Sequence, residues 1–228
     1  CTTEDWSPQF SFKFTKRLYN IGGKYMKKIF LVRHGESHWN VLKKVQGQQD
    51  IPLTAKGIKQ ANLIGDRLIN EEIDIIYSSD LKRAYDTAVI IGKKLSLDVT
   101  PIREFREINF GVWEGMSIDK MNTEHYNELC LWRKKPEKLR VEGAESLKEL
   151  QSRAMLAVNK IINNEEGDNI LIVSHGATLK TIILGLLNMD LVYFKNLTLN
   201  NVSLTIIENR DYNRVVKALN DTCHIKES

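Results

Sequence analysis

The chain has 228 residues, 42% of them hydrophobic and 27% charged, a balance that suits one globular domain of ordinary size with at most an appendage. Its 33 Lys+Arg against 29 Asp+Glu leave a formal charge of +4, too mild a surplus to point to nucleic acid and enough only to favour small anions. Cys1, Cys130 and Cys223 show no CxxC spacing, which argues against a disulfide framework or a zinc site and for a reducing, cytoplasmic setting. No apolar run approaches the roughly 18 residues of a membrane helix.

Residues 1–25 stand apart. Phe10, Phe12 and Phe14 alternate with polar or basic residues, and no apolar stretch accompanies Lys13, Lys16, Arg17 and Lys24, so a secretory signal is excluded. The chain begins afresh at Met26-Lys27-Lys28. Residues 1–25 therefore read as an extension, a processed segment or an artificial addition to a domain covering 26–228.

Ile29 to Val32 form an apolar run that predicts a strand buried on both faces, and it ends in Arg33-His34-Gly35. In open α/β sheets ligands sit at the carboxyl ends of strands, so Arg33 and His34 are placed for chemistry. After a polar stretch from Ser37 to Asp50, Thr54 is a helix N-cap. Ile58, Ala61, Ile64, Gly65 and Leu68 give an apolar stripe for a helix over about 55–70. Ile73 to Tyr77 predicts a second strand with a polar end at Ser78-Ser79-Asp80. Ala84, Ala88, Ile91 and Leu95 mark a second helix, with Asp80 as its cap and Arg83 in its first turn.

A short strand at Val99–Ile102 leads into a charged, glycine-containing segment, 103–115, read as an active-site loop outside the core. Residues 117–141 are polar, lysine-rich and helix-leaning, and read as an insertion able to cover the site. Ser146 and Glu149 make a capping box for a long helix to about Asn163. Asn169 to Ser174 then repeats the first strand and ends in His175-Gly176. A helix over 178–187 and strands near 204–207 and 215–219 complete an alternating pattern. That pattern predicts a three-layer α/β/α sandwich with a mostly parallel central sheet.

Two histidines at two strand ends, with Arg33 and Arg83 nearby, describe a pocket for a tetrahedral oxyanion. Arginine donates paired hydrogen bonds to two oxygens, and fixed positive charge keeps a neighbouring imidazole neutral and nucleophilic. His34 is then placed to attack phosphorus. A loop carboxylate, Glu107 with Glu104 and Glu114 as its rivals, can protonate the departing oxygen and then activate water. Taken singly, a strand-end histidine is more often structural and Arg83 more often a surface pair; their convergence reverses that reading. His34-x-Glu36-x-His38 matches neither HExxH nor HxxEH, so no metal is inferred. His125 and His224 read as packing residues, and Trp39 and Trp113 as core or pocket wall.

LVRHGESHWN at 31–40 resembles the signature of the histidine phosphatase superfamily, the phosphoglycerate-mutase-like family. The resemblance continues in order through GQQDIPLTAKG at 47–57, SSDLKRAYDTA at 78–88, REINFGVWEG at 106–115, EGAES at 142–146 and VSHG at 173–176. It implies His34 as the phosphorylated nucleophile, Arg33, Arg83 and His175 as phosphate ligands, and Glu107 as the proton donor. It further implies a phosphate contact from Asn40 and a pocket lining from Gln46, Gly47, Gly176 and Ala177. Gln46 stands where other members carry a small hydroxyl residue. The implied activity is a cofactor-free, metal-independent phosphomonoesterase acting on a small phosphorylated metabolite. NDTCHI at 220–225 and the short 117–141 segment, with Trp132-Arg133-Lys134-Lys135 in place of paired arginines, resemble the phosphatase branch, which includes α-ribazole and broad-specificity phosphatases. The alternatives are a cofactor-dependent phosphoglycerate mutase and, in another class, a non-catalytic phospho-ligand binding module.

Overall fold

Apolar runs flanked by helices assemble here into a mixed sheet covered on both faces. The computed structural model describes residues 26–164 and 167–225, so the readings made for residues 1–25 lie outside the described residues. The strands are β1 (Lys27–Arg33), β2 (Ile75–Ser78), β3 (Val99–Pro101), β4 (Asn169–Ser174), β5 (Leu204–Asn209) and β6 (Arg214–Asp221), in the order β3-β2-β4-β1-β5-β6. β3, β2, β4 and β1 pair in parallel, while β5 runs antiparallel to β1 and β6 antiparallel to β5, so β5 alone is reversed, as a mostly parallel α/β/α sandwich allows. The helices are α1 (His38–Val41), α2 (Ala55–Leu68), α3 (Lys82–Leu95), α4 (Ile118–Glu124), α5 (Tyr126–Lys134), α6 (Leu147–Asn164) and α7 (Gly176–Leu186). No helix among the described residues is long and apolar enough to cross a membrane.

Alternation along β1 explains why its run is apolar throughout. Ile29 and Leu31 join Ile170 and Ile172 of β4 against α6 and α7, meeting Val158, Leu179 and Ile182. Phe30 and Val32 join Leu171 and Val173 on the other face, against Ile64, Leu68, Ala84, Ala88 and Ile91 of α2 and α3. Each such side chain contributes roughly 1.5–3 kcal/mol by burial, which makes the central strands the stiffest part of the site's frame.

Local capping follows the sequence in two places and departs from it in a third. Thr54 Oγ1 accepts from Gly57 N at 3.0 Å and starts α2. Ser146 Oγ accepts from Glu149 N, whose carboxylate accepts in return from Ser146 N at 2.8 Å, ahead of α6. Asp80, expected to cap α3, does not. Its two oxygens accept from Arg106 Nε and Nη2, both at 2.7 Å, and the open Lys82 N–H of α3 donates instead to Asp50 Oδ1 at 2.6 Å. A bidentate guanidinium is the stronger partner, so a loop carboxylate takes over the cap.

Three further differences are physical. Ile58, expected on the buried stripe of α2, is 47% exposed, because Gly57 holds the inward position against the Glu36 backbone, where a Cβ would collide with the Glu36 carbonyl. The polar stretch from Ser37 holds a single helical turn, α1, capped by Ser37 with Asn40 closing the box. The charged 103–115 segment supplies core after all: Phe105 packs under α6 and α7, and Ile108 and Trp113 are buried. Residues 117–141 fold as α4, α5 and a 3-10 turn at Pro136–Lys138, around Met121, Leu129 and Leu139 packed against Trp113.

Candidate active site

Parallel pairing of β1 with β4 sets Arg33 opposite Ser174, so the next residues, His34 and His175, emerge side by side. His34 N donates to Ser174 O at 2.9 Å, and the two rings lie 5.2 Å apart between centroids at 59°. His34 Nδ1 donates to the Gly35 carbonyl at 2.7 Å, which fixes the tautomer and leaves Nε2 with its lone pair. The turn is held from two sides: Gly35 N donates to Thr87 Oγ1 at 3.1 Å and Asn201 Nδ2 to His34 O at 2.9 Å. A Cβ on Gly35 would stand 2.6 Å from the Gly57 carbonyl oxygen, so glycine is what allows α2 to approach this closely.

Both arginines are aimed by backbone carbonyls. Arg83, in the first turn of α3 and 1% exposed, donates from Nη1 to Gln49 O and from Nη2 to Gly47 O, each at 2.7 Å; Arg33 donates from Nη1 to Leu199 O at 2.6 Å. His175 Nε2 lies 2.8 Å from Ser79 Oγ. Seven buried side-chain polar atoms lack a partner among the described residues, and three of them, Arg33 Nε, Arg83 Nε and His175 Nδ1, belong to the groups around His34. Buried polar atoms are normally satisfied, so such a cluster marks a place built for an acceptor from outside the chain.

The electrostatics agree with that geometry. Burial pushes His34 well below the ordinary imidazole value, and the charges of Arg83 and Arg33 push it further, with the Gly35 carbonyl opposing. His175 is depressed for the same reason, burial first and then Arg83. Arg83 itself falls to about 10, chiefly by burial, and so keeps its charge at neutral pH. The site therefore pairs fixed cations with neutral imidazoles.

Glu107 lies at the start of α7, in one pocket with Arg33 and Gly176. Its Oε1 accepts from Ile108 N, Thr178 N and Thr178 Oγ1, each at 3.1 Å, and its Oε2 from Ala177 N at 3.2 Å. It is thus the cap of α7, whose first turn has no side-chain cap of its own, and a carboxylate there is favoured by the open N–H groups. A Cβ built on Gly176 would lie 3.6 Å from Arg33 Nε and 3.8 Å from Glu107 Oε2, so this glycine separates acid from cation. The rival Glu114 is committed to the neighbouring loop, accepting from Gln48 N, Gln49 Nε2 and Phe110 N. Glu104 lies with Arg103 and Arg106 in a separate surface cleft.

Asn40 Oδ1 accepts from Ser37 N and from Asn201 Nδ2, leaving the amide NH2 as the group it can offer a ligand. Gln46 Oε1 accepts from Ser37 Oγ at 2.7 Å, which ties it to the same turn. Gly47, at φ +51°, presents its carbonyl to Arg83, and a side chain there would strike the Glu114 carboxylate. Ala177 offers its N–H to Glu107, so its contribution runs through the carboxylate. Glu36 turns away to Thr54 and Lys56.

Sequence reasoning missed several supporting residues. Thr178 stands two residues after Gly176, just past the VSHG motif at 173–176, and is within reach of a motif-based reading. In sequence Ser79 is only a polar strand end, and Asn201, 167 positions from His34, carries no signal at all. Gln48 and Arg153, which donate to the Glu107 carbonyl at 3.2 and 3.0 Å, are likewise set by tertiary approach.

The chain matches the description "Histidine phosphatase superfamily (branch 1)" over residues 29–222. It is 33% identical over 202 residues to phosphoserine phosphatase 1 of Hydrogenobacter thermophilus, covering 89% of this chain and 96% of that one. It is 35% identical over 209 residues to a probable phosphoglycerate mutase GpmB of Yersinia pestis, covering 88% and 95%. Among solved structures, Bacillus stearothermophilus YhfR superposes with a TM-score of 0.83 at 33% identity, over 88% of this chain and all of that one. With that match spanning both histidine-bearing strands, the chain belongs to the histidine phosphatase superfamily.

Proposed function

We propose that the protein is a metal-independent phosphomonoesterase that works through a phosphohistidine on a small phosphorylated metabolite. The observation that carries this reading is the set of three unpartnered buried nitrogens, Arg33 Nε, Arg83 Nε and His175 Nδ1, around a neutral His34. Arg33, Arg83 and His175, with the Asn40 amide, hold the non-bridging oxygens, while Gln46, Gly47, Gly176 and Ala177 shape the lining. His34 Nε2 bonds to phosphorus as the P–O bond to the leaving group breaks, and Glu107 gives that oxygen its proton. Water then loses a proton to the Glu107 carboxylate, bonds to phosphorus and breaks the N–P bond, releasing inorganic phosphate. Relatives named as phosphoserine phosphatase and, at 26% identity and a TM-score of 0.81, a mycobacterial glucosyl-3-phosphoglycerate phosphatase support this class. Cys130 and Cys223 are free thiols, in keeping with a cytoplasmic setting.

A phosphoglycerate mutase is the second reading, favoured by the relative of that name. Such an enzyme shields the phosphohistidine from water, whereas this site opens beside Trp132 and Arg133 of α5 into a pocket of about 410 Å³. The test is turnover of p-nitrophenyl phosphate and a panel of phosphorylated metabolites, with and without EDTA. Phosphate release unaffected by chelator is expected, because the arginines supply the positive charge. Loss of rate restored by a divalent metal, or interconversion of 2- and 3-phosphoglycerate outrunning phosphate release, overturns the reading. Binding of phosphorylated ligands without turnover indicates the binding module.

Arg83→Lys is expected to lower kcat/KM on the order of 10²-fold, since a single ammonium cannot both reach the Gly47 and Gln49 carbonyls and present a donor to the phosphoryl group. Thermal unfolding monitored in parallel separates this from loss of fold. Near-normal kcat/KM returns Arg83 to a structural role.

A further inference from the structure

The pocket on the Glu107 side of the site holds a cation that the phosphoryl chemistry does not use. Lys180 lies one helical turn after Gly176 on α7 and therefore on the same face. Its Nζ sits 3.9 Å from the centroid of the Phe194 ring and has no hydrogen-bond or ion-pair partner among the described residues. Trp132 completes the wall, its ring 5.3 Å from Phe110 and 5.4 Å from Phe194 between centroids. A half-buried ammonium beside aromatic faces gains some cation–π energy but lacks a counter-charge. Glu107, the carboxylate that lines the same pocket, already accepts four hydrogen bonds.

Direction adds a second argument. If Glu107 protonates the leaving oxygen, the rest of the substrate must extend from phosphorus toward Glu107, and Glu107 and Lys180 line the same pocket of about 410 Å³. Arg133 of α5, likewise without a hydrogen-bond or ion-pair partner among the described residues, is exposed to solvent, and Lys195 Nζ donates to Lys134 O at 3.1 Å, so Lys180 is the uncommitted cation that burial has desolvated. One desolvated monocation matches one monoanion. The geometry points to Lys180 as a specificity-determining residue that binds a carboxylate on the leaving group, so that the preferred substrates are phosphate monoesters of small hydroxy acids. This rests on the phosphomonoesterase reading.

Burial holds Lys180 down to about 8, with Arg33 of β1 acting the same way and Glu107 opposing; Arg133 and Lys195 are the other charges that line the pocket. Lysine is charged below its pKa, so the preference for carboxylated substrates in kcat/KM is expected to fade as pH rises past about 8.

The test uses pairs of substrates that differ by the carboxylate: O-phosphoserine against O-phosphoethanolamine, and 3-phosphoglycerate against glycerol 3-phosphate. Wild type is expected to favour the acid of each pair on the order of 10- to 100-fold in kcat/KM, the range of a charge-assisted hydrogen bond. Lys180→Met is expected to bring that ratio close to one, and Lys180→Arg to restore most of it and remove its decline at alkaline pH. Equal treatment of both members by wild type, or an unchanged ratio in Lys180→Met, overturns the inference. Calorimetric Kd values for the same pairs on His34→Ala, with and without Lys180→Met, read the discrimination without turnover. Failure of wild type to release phosphate from any ester would sink the phosphatase reading and leave this measurement standing.

Discussion

A His34→Ala protein is expected to lose phosphate-releasing activity by at least about 10³-fold while unfolding at a temperature close to that of the parent. The kinetic part follows from Nε2, the ring atom left with a lone pair once Nδ1 donates to the Gly35 carbonyl. Removing it deletes the covalent route. The stability part follows from where the fold's burial lies: His34 stands beyond the end of β1, outside the clusters formed by Ile29, Phe30, Leu31 and Val32. The strand pairing through His34 N to Ser174 O uses backbone and survives the substitution. The pH dependence has a definite sign. A depressed imidazole pKa means that the nucleophile stays neutral below the ordinary value of 6.5, so the acid limb that His34 contributes to kcat/KM should lie below pH 6.5. Rapid-quench measurement of phosphate release, with trapping of acid-labile phosphoenzyme in the parent, checks both points. Retained turnover in the variant, or an acid limb well above pH 6.5, would remove His34 from the nucleophile's role.

The sequence made the sheet and its histidine-bearing ends legible because that information is local. Apolar runs such as Ile29–Val32 and Ile170–Val173 need burial on both faces, and only a parallel strand with helices on each side supplies it. The placement of His34 beside His175 then follows from one pairing register. What stayed hidden was decided by competition between distant groups. Asp80 has the composition of a helix cap, yet Arg106, 26 positions away, binds it more strongly, and Asp50 arrives to fill the place. Ile58 fits the apolar period of α2, yet the approach of the Glu36 backbone gives the inward place in the first turn to Gly57 and leaves Ile58 exposed, while Ala61, Ile64, Gly65 and Leu68 are buried as the period requires. Charge along 103–115 concealed the burial of Phe105, Ile108 and Trp113, since Phe105 and Ile108 sit between polar residues and Trp113 follows Val112, an apolar residue that is itself exposed. Among the three loop carboxylates Glu107 is singled out by the resemblance alone, and its contacts with the first turn of α7 are tertiary ones that no spacing in the loop reveals.

The fate of the proton at Glu107 gives the second large effect, and one whose size should depend on the substrate. Glu107→Gln keeps the shape of the side chain but replaces one oxygen by an NH2 that cannot give up a proton to a leaving alkoxide. Oε1 faces three donors, so the amide oxygen should stay there and the NH2 should occupy the Oε2 position, opposite Ala177 N. A donor then meets a donor, and the side chain loses an acceptor contact as well as its acid. For alkyl phosphates, whose leaving oxygen is strongly basic, the loss should be on the order of 10² to 10⁴-fold, the usual span for a positioned acid. For p-nitrophenyl phosphate the nitrophenolate departs unaided, so the first step should be much less affected, and slowed attack of water should let phosphohistidine accumulate. A burst of p-nitrophenol equal to the enzyme concentration, followed by slow turnover, is the expected signature in the variant. Equal losses for alkyl and aryl substrates with no burst would mean that Glu107 only holds the first turn of α7, and the proton donor would have to be sought among the other groups facing the leaving oxygen.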